Sequence, residues 1–287
     1  MKKIIFALHF VLISISVLAQ QKGARLIVRG DDMGYSHSGN EALIKSYKDG
    51  IETSIEVIVP SPWFPEAVKM LAENPGVDVG IHLTLTSEWD NLKWRPVSDC
   101  PSLRDEDGYF YPMIHSNKNY PKRAILENNW KLEDVEKEFR AQIEIALKKI
   151  PRISHLSSHM GCTALNDDVK ALTIKLAREY KILLNPADEH FARATYDGPK
   201  KTSEEKISSF INMLNKLESG KTYLFIDHPG LDNEELRAIH HIGYEDVATD
   251  RQGVTDVFTN EKVMAVIKAK GIQLIGYRDV VEIRKRR

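Results

Sequence analysis

Asp31 and Asp32 stand side by side at the end of an apolar run, Leu26-Ile27-Val28, and Gly34 follows them. Two adjacent carboxylates at a strand end repel each other unless a cation or a shared proton compensates them. Strand ends of α/β folds are also where catalytic groups collect. A solvated Asp-Asp turn would look the same in isolation, so the rest of the chain has to decide. Histidines are the next clue. His82 closes the run at 77–82, His155 and His159 flank the end of 153–156, and His228 follows 223–226 and precedes Pro229-Gly230. One carboxylate and two imidazoles with an open position form a ligand set of catalytic zinc and related divalent ions. The separations of Asp32, His82 and His159 match no motif. What they share with Asp31 and His228 is a place at the C-terminal end of a predicted strand, and in a parallel sheet those ends share one face. His37, His115, His190, His240 and His241 sit in polar or helical context and read as surface residues.

The elements that would position these groups alternate regularly. Strand patterns at 25–29, 53–59, 77–82, 153–156, 182–184, 223–226 and 272–276 are separated by helical spacing at 38–48, 64–73, from 132 onwards, 167–180, 203–217 and 261–270. Strand–helix alternation of this kind predicts a parallel sheet, open or closed into a barrel. Two segments break the rhythm, 84–121 and 188–201. The first carries Trp89, Trp94, Arg95 and Tyr111, and connections of that length are usually lids or binding loops. Trp89, Trp94 and Tyr111 could stack on a bound ring and Arg95 could meet a hydroxyl or carboxylate; packing of the loop on the barrel explains the aromatics equally well.

Composition narrows the class. With 42% hydrophobic and 28% charged residues over 287, the chain is an ordinary globular protein with ample length for a core. A formal net charge of -1 gives no electrostatic case for nucleic acid. Lys2 and Lys3 precede an apolar stretch to Leu18, and Val17-Leu18-Ala19 offers small residues for a peptidase, so 1–19 reads as a secretory signal. The expected mature protein is one domain, 20–287, periplasmic or extracellular, without a membrane span. Cys100 and Cys162 are compatible with one disulfide or with two buried thiols. Oligomeric state leaves no mark, and a homodimer is expected only from how common dimers are.

In order along the chain, Leu26-Ile27-Val28-Arg29-Gly30-Asp31-Asp32-Met33-Gly34, Gly80-Ile81-His82-Leu83-Thr84-Leu85-Thr86, His155-Leu156-Ser157-Ser158-His159 and His228-Pro229-Gly230 resemble the YdjC-like carbohydrate deacetylase family. Arg95-Pro96, the stretch from Ser102 to Phe110 and that from Gly271 to Asp279 extend the likeness over nearly all of the mature chain. The resemblance implies an α/β fold, a distorted (β/α) barrel of about seven parallel strands related to the polysaccharide deacetylases. It implies a metal-dependent amidohydrolase that removes N-acetyl groups from a small N-acetylated sugar or oligosaccharide. Asp32, His82 and His159 would bind one divalent ion, zinc or magnesium first; Asp31 would be the general base and His228 a candidate acid. Such an ion would acidify the attacking water, whose proton Asp31 would take. An O-acetyl ester or another amide as substrate would use the same site, and a sugar-binding protein with lapsed catalysis is the alternative outside enzymes. Ser157 stands where many relatives carry an aspartate, and Met160-Gly161-Cys162 follows His159, so polar groups that often surround metal ligands are expected to be missing here.

Overall fold

The computed structural model describes residues 23–182, 184 and 191–285; the expected signal segment and His190 lie outside the described residues. Its strands are β1 (Arg25–Met33), β2 (Ser54–Val57), β3 (Asp78–Leu83), β4 (His155–Ser158), β5 (Ala192–Arg193), β6 (Thr222–Asp227) and β7 (Gln273–Leu274). They pair in parallel in the order β4-β3-β2-β1-β6-β5, and β7 adds to the start of β1. A parallel bridge between His155 and Leu184 extends the sheet beyond β4, at the position of the strand expected at 182–184. The result is a distorted (β/α) barrel.

The helices are α1 (His37–Lys48), α2 (Phe64–Glu73), α3 (Leu132–Lys149), α4 (Asp167–Glu179), α5 (Ser203–Lys216), α6 (Glu234–Arg237), α7 (Val247–Phe258), α8 (Glu261–Ala269) and α9 (Tyr277–Lys285). Local signals start several of them. Ser36 and Asn166 accept from the Gly39 and Val169 amides, and Thr202 with Glu205 makes a capping box. Sequence spacing did not reveal α7, which contains Gly253 and several β-branched residues. Packing makes it a helix: Val254, Val257 and Phe258 bury against Phe210 and Phe225. Likewise β5 lies inside the segment read as a loop excursion at 188–201.

Each strand presents alternate residues to opposite faces. Leu26 and Val28 of β1 and Phe225 of β6 join one outer cluster, while Ile55, Val57, Val79, Ile81, Leu83 and Leu156 join another under α1 to α4. The residues between them, Arg29, Asp31, Ser54, Glu56, His82, His155 and Ser157, are buried and polar. The long segment 84–121 is tied down from below by α3. Glu138 accepts from the Val97 and Ser98 amides at 3.1 and 2.9 Å, and Gln142 bonds both backbone groups of Thr84. Both cysteines are free and buried, which settles them as thiols. No helix among the described residues is long and apolar enough to cross a membrane.

Candidate metal centre and active site

Adjacent residues of a regular strand point to opposite faces, so Asp31 and Asp32 could not share a site on ideal geometry. The chain solves this with a bulge. Pairing between β1 and β2 shifts register between Gly30 and Met33, and Asp32 takes a left-handed φ of 75°. A non-glycine residue held there stores strain of about 1–3 kcal/mol, which is typical of sites where side-chain direction matters. Both carboxylates thereby reach the same imidazole: Oδ2 of Asp31 and Oδ1 of Asp32 each lie 3.6 Å from Nε2 of His82. His159, from the turn after β4, places Nδ1 3.1 Å from Oδ1 of Asp32.

Donor atoms of Asp32, His82 and His159 all lie within 4.8 Å of one another, and all three residues are buried. One carboxylate and two imidazoles at that spacing fit a single divalent ion with coordination positions left over. The surroundings fit it too. Glu88 holds Nε2 of His159 at 3.0 Å, as a carboxylate holds the far nitrogen of a ligating histidine. Arg251 from α7 donates to Oδ2 of Asp32 at 2.9 Å, leaving Oδ1 towards the imidazoles.

The electrostatics follow from these contacts. Burial disfavours charge on Asp32, but His228, His159 and Arg251 outweigh it and hold the carboxyl well below its usual range. Burial also opposes the His159 imidazolium, yet Glu88 and Asp32 push it up to about 10. For His82 burial wins over Asp31, and its value falls to about 4. His159 thus carries a proton that a cation would replace, while His82 is neutral and ready to coordinate. His228 follows β6, with Nε2 3.8 Å from Oδ2 of Asp32 and 39% of its side chain exposed. That partial burial works against its charged form, but Asp32 and Asp227 prevail and raise it. Asp31 is gripped by both arms of Arg29, at 2.7 and 3.0 Å, and Arg29 in turn donates to Tyr277.

A cavity of about 690 Å³ opens over this cluster. Asp31, Asp32, His82, His159, His228 and Trp89 line it, so the structure brings six of the nine expected site residues together. Trp94, Arg95 and Tyr111 lie elsewhere. Trp94 is buried with its indole N–H on the Thr86 carbonyl, Arg95 stacks over Tyr109 at 4.5 Å, and Tyr111 faces the separate hollow of Asp105 and Arg123. His241, read as a surface residue, lines the cavity beside Trp89.

Sequence reasoning missed Glu56, Glu88 and Arg251. Only Glu56 left a signal, as the charged residue in the alternation Ser54-Ile55-Glu56-Val57. The polar surroundings expected to be lost with Ser157 are present: its hydroxyl meets His82 at 2.8 Å and Glu56 at 2.5 Å. Strand β2, on the far side of β3, supplies the carboxylate that position 157 lacks.

Fold and site together define a (β/α)-barrel protein whose strand ends gather an Asp-His-His donor set beside a second aspartate. A family model described as YdjC-like protein matches residues 25–269, and the chain belongs to that family. A carbohydrate deacetylase of Enterococcus faecalis is 26% identical over 272 residues, spanning 89% of this chain and 98% of the relative. One from Thermus thermophilus is 35% identical over 158 residues, covering 55% of this chain and 52% of its own. The crystal structure of an Enterococcus faecalis V583 protein named for cellobiose-phosphate cleavage shares the fold, with a TM-score of 0.71 at 24% identity over 90% of this chain and 99% of that one.

Proposed function

We propose that this chain is a metal-dependent carbohydrate deacetylase that removes an N-acetyl group from a small sugar or oligosaccharide. One observation carries the reading: a strained bulge turns Asp31 and Asp32 onto one histidine, placing a potential base beside a cation donor set. The Enterococcus faecalis carbohydrate deacetylase, aligned over 98% of its length, supports it.

The ion held by Asp32, His82 and His159 would supply a Lewis acid for the acetyl carbonyl and lower the pKa of water. Asp31, oriented by the Arg29 fork, takes the proton of the attacking water at a carboxylate oxygen. His228, whose charged form Asp32 and Asp227 favour, delivers a proton from Nε2 to the departing sugar nitrogen. Trp89 offers an aromatic wall for the sugar. We further propose that residues 20–287 form one exported domain, released from the signal at 1–19; an uncleaved chain retained in the cytoplasm on cell fractionation would contradict this.

Acetate release from N-acetylated mono- and oligosaccharides, run beside O-acetylated sugars and with a chelator control, tests the activity. Metal-dependent acetate from the N-acetyl panel is expected. Acetate from O-acetyl esters alone would make the protein an esterase, and sugar binding without acetate would make it a lectin-like relic.

A further inference from the structure

Six buried side chains make one hydrogen-bonded line through the barrel interior. Asp78 meets Ser154, Ser154 meets Nδ1 of His155, and Nε2 of His155 meets Glu56, each at 2.7 Å. Glu56 then meets Ser157 at 2.5 Å, and Ser157 meets Nδ1 of His82 at 2.8 Å. None of the six is more than 3% exposed. The line has room because position 80 is glycine: a Cβ there would lie 2.0 Å from Glu56 and 2.4 Å from His155.

Counting hydrogens gives the line a direction. A serine hydroxyl has one hydrogen to donate, and a carboxylate only accepts. Ser157 therefore gives its hydrogen to Glu56, and its oxygen must accept from His82. That fixes the hydrogen of His82 on Nδ1 and leaves the lone pair on Nε2, facing Asp31 and Asp32 at 3.6 Å. Without the line the same two carboxylates would draw the hydrogen to Nε2, and a ring N–H cannot coordinate a cation. The far end obeys the same rule. Asp78, already held by the Arg278 guanidinium at 3.0 Å, takes the hydrogen of Ser154. His155, stacked on Tyr277 at 3.6 Å, donates from Nε2 to Glu56 and keeps it an acceptor.

We propose that Ser157 and Glu56 are positioning residues that set the tautomer of His82, aiming its Nε2 lone pair at the cation site. This rests on the reading of Asp32, His82 and His159 as a metal centre.

The test uses the full chain, free of metal and labelled with 15N-histidine. Long-range proton–nitrogen spectra report which ring nitrogen carries the hydrogen, with His82 assigned by its loss in His82→Gln. In the unsubstituted protein the hydrogen sits on Nδ1; in Ser157→Ala it moves to Nε2, and zinc affinity falls about 10–100-fold. Glu56→Gln, which introduces amide hydrogens into the line, gives a second route should Ser157→Ala not fold, with Nε2–H again populated. Nδ1–H persisting in the variants, or Nε2–H in the unsubstituted chain, overturns the proposal. If the tautomer shifts as expected and no form binds zinc, the metal reading fails while the control of His82 stands.

Discussion

The two faces of one sheet differ more than any two domains need to. On the outer face Leu26, Val28, Ile55, Val57, Ile81 and Leu156 are fully buried against helices, where non-directional apolar burial at about 25 cal/mol per Å² suffices. On the inner face the residues between them are just as buried, yet Arg29, Asp31, Glu56, His82 and His155 each have a specific partner. A desolvated charge is tolerated only when paired and hydrogen-bonded. The outer face therefore tolerates substitution by volume, whereas the inner face tolerates it only by donor and acceptor. The inner face is the more expensive arrangement, and its purpose is the cavity at its C-terminal end.

The largest expected effect separates chemistry from assembly. Asp31→Asn lowers turnover about 10²–10⁴-fold, the range for loss of a general base, while zinc binding persists. Retention of more than a tenth of the activity would remove Asp31 from that role. Next, Phe139→Ala opens a hole in the outer core and costs about 3–5 kcal/mol, measured by urea unfolding, with turnover per folded molecule unchanged. A matching fall in turnover would mean that the faces are not separable.

Glu52 cuts across the comparison. It is 3% exposed, near Leu43 and α1 where a Cβ on Gly30 would strike it, and neither of its oxygens has a hydrogen-bond partner. Burial, then Asp31 and Glu56, raise it well above the ordinary range. The sign follows: its neutral form fits the fold, so its contribution is complete below the unfolded value of about 4.3 and is lost as pH rises from there through the folded value. Glu52→Gln should flatten the decline of Tm above that pH; an unchanged profile would show that Glu52 is ionised and paired in the fold. The smallest effect belongs to Arg95→Ala, which removes a stack on Tyr109 outside the cavity. Stability should change by less than about 0.5 kcal/mol and KM by less than twofold; a tenfold rise in KM would bring Arg95 to the substrate.

Much of this was legible in the sequence because it is local or periodic. Helix α2 has the expected limits, and β1, β2, β3 and β6 fall within three or four residues of theirs, since apolar alternation and turn residues bound them. Convergence of Asp31, Asp32, His82, His159 and His228 followed from the rule that parallel strand ends share a face. Long-range pairing was not legible. Arg251 sits on a helix of weak propensity and is 219 positions from Asp32 in sequence, and nothing near Glu88 announces its bond to His159. The aromatic loop misled for a related reason: Trp89 and Trp94 have similar surroundings in sequence, and only the docking of 84–121 on α3 turns one to the cavity and the other inward.

The central claim is that the inner face ends in a cation site built on Asp32, His82 and His159. Equilibrium zinc titration of the full chain tests it most directly. One ion per chain is predicted, retained in Asp31→Asn and lost in His82→Ala. No binding by the folded protein, or binding that survives His82→Ala undiminished, would contradict the account.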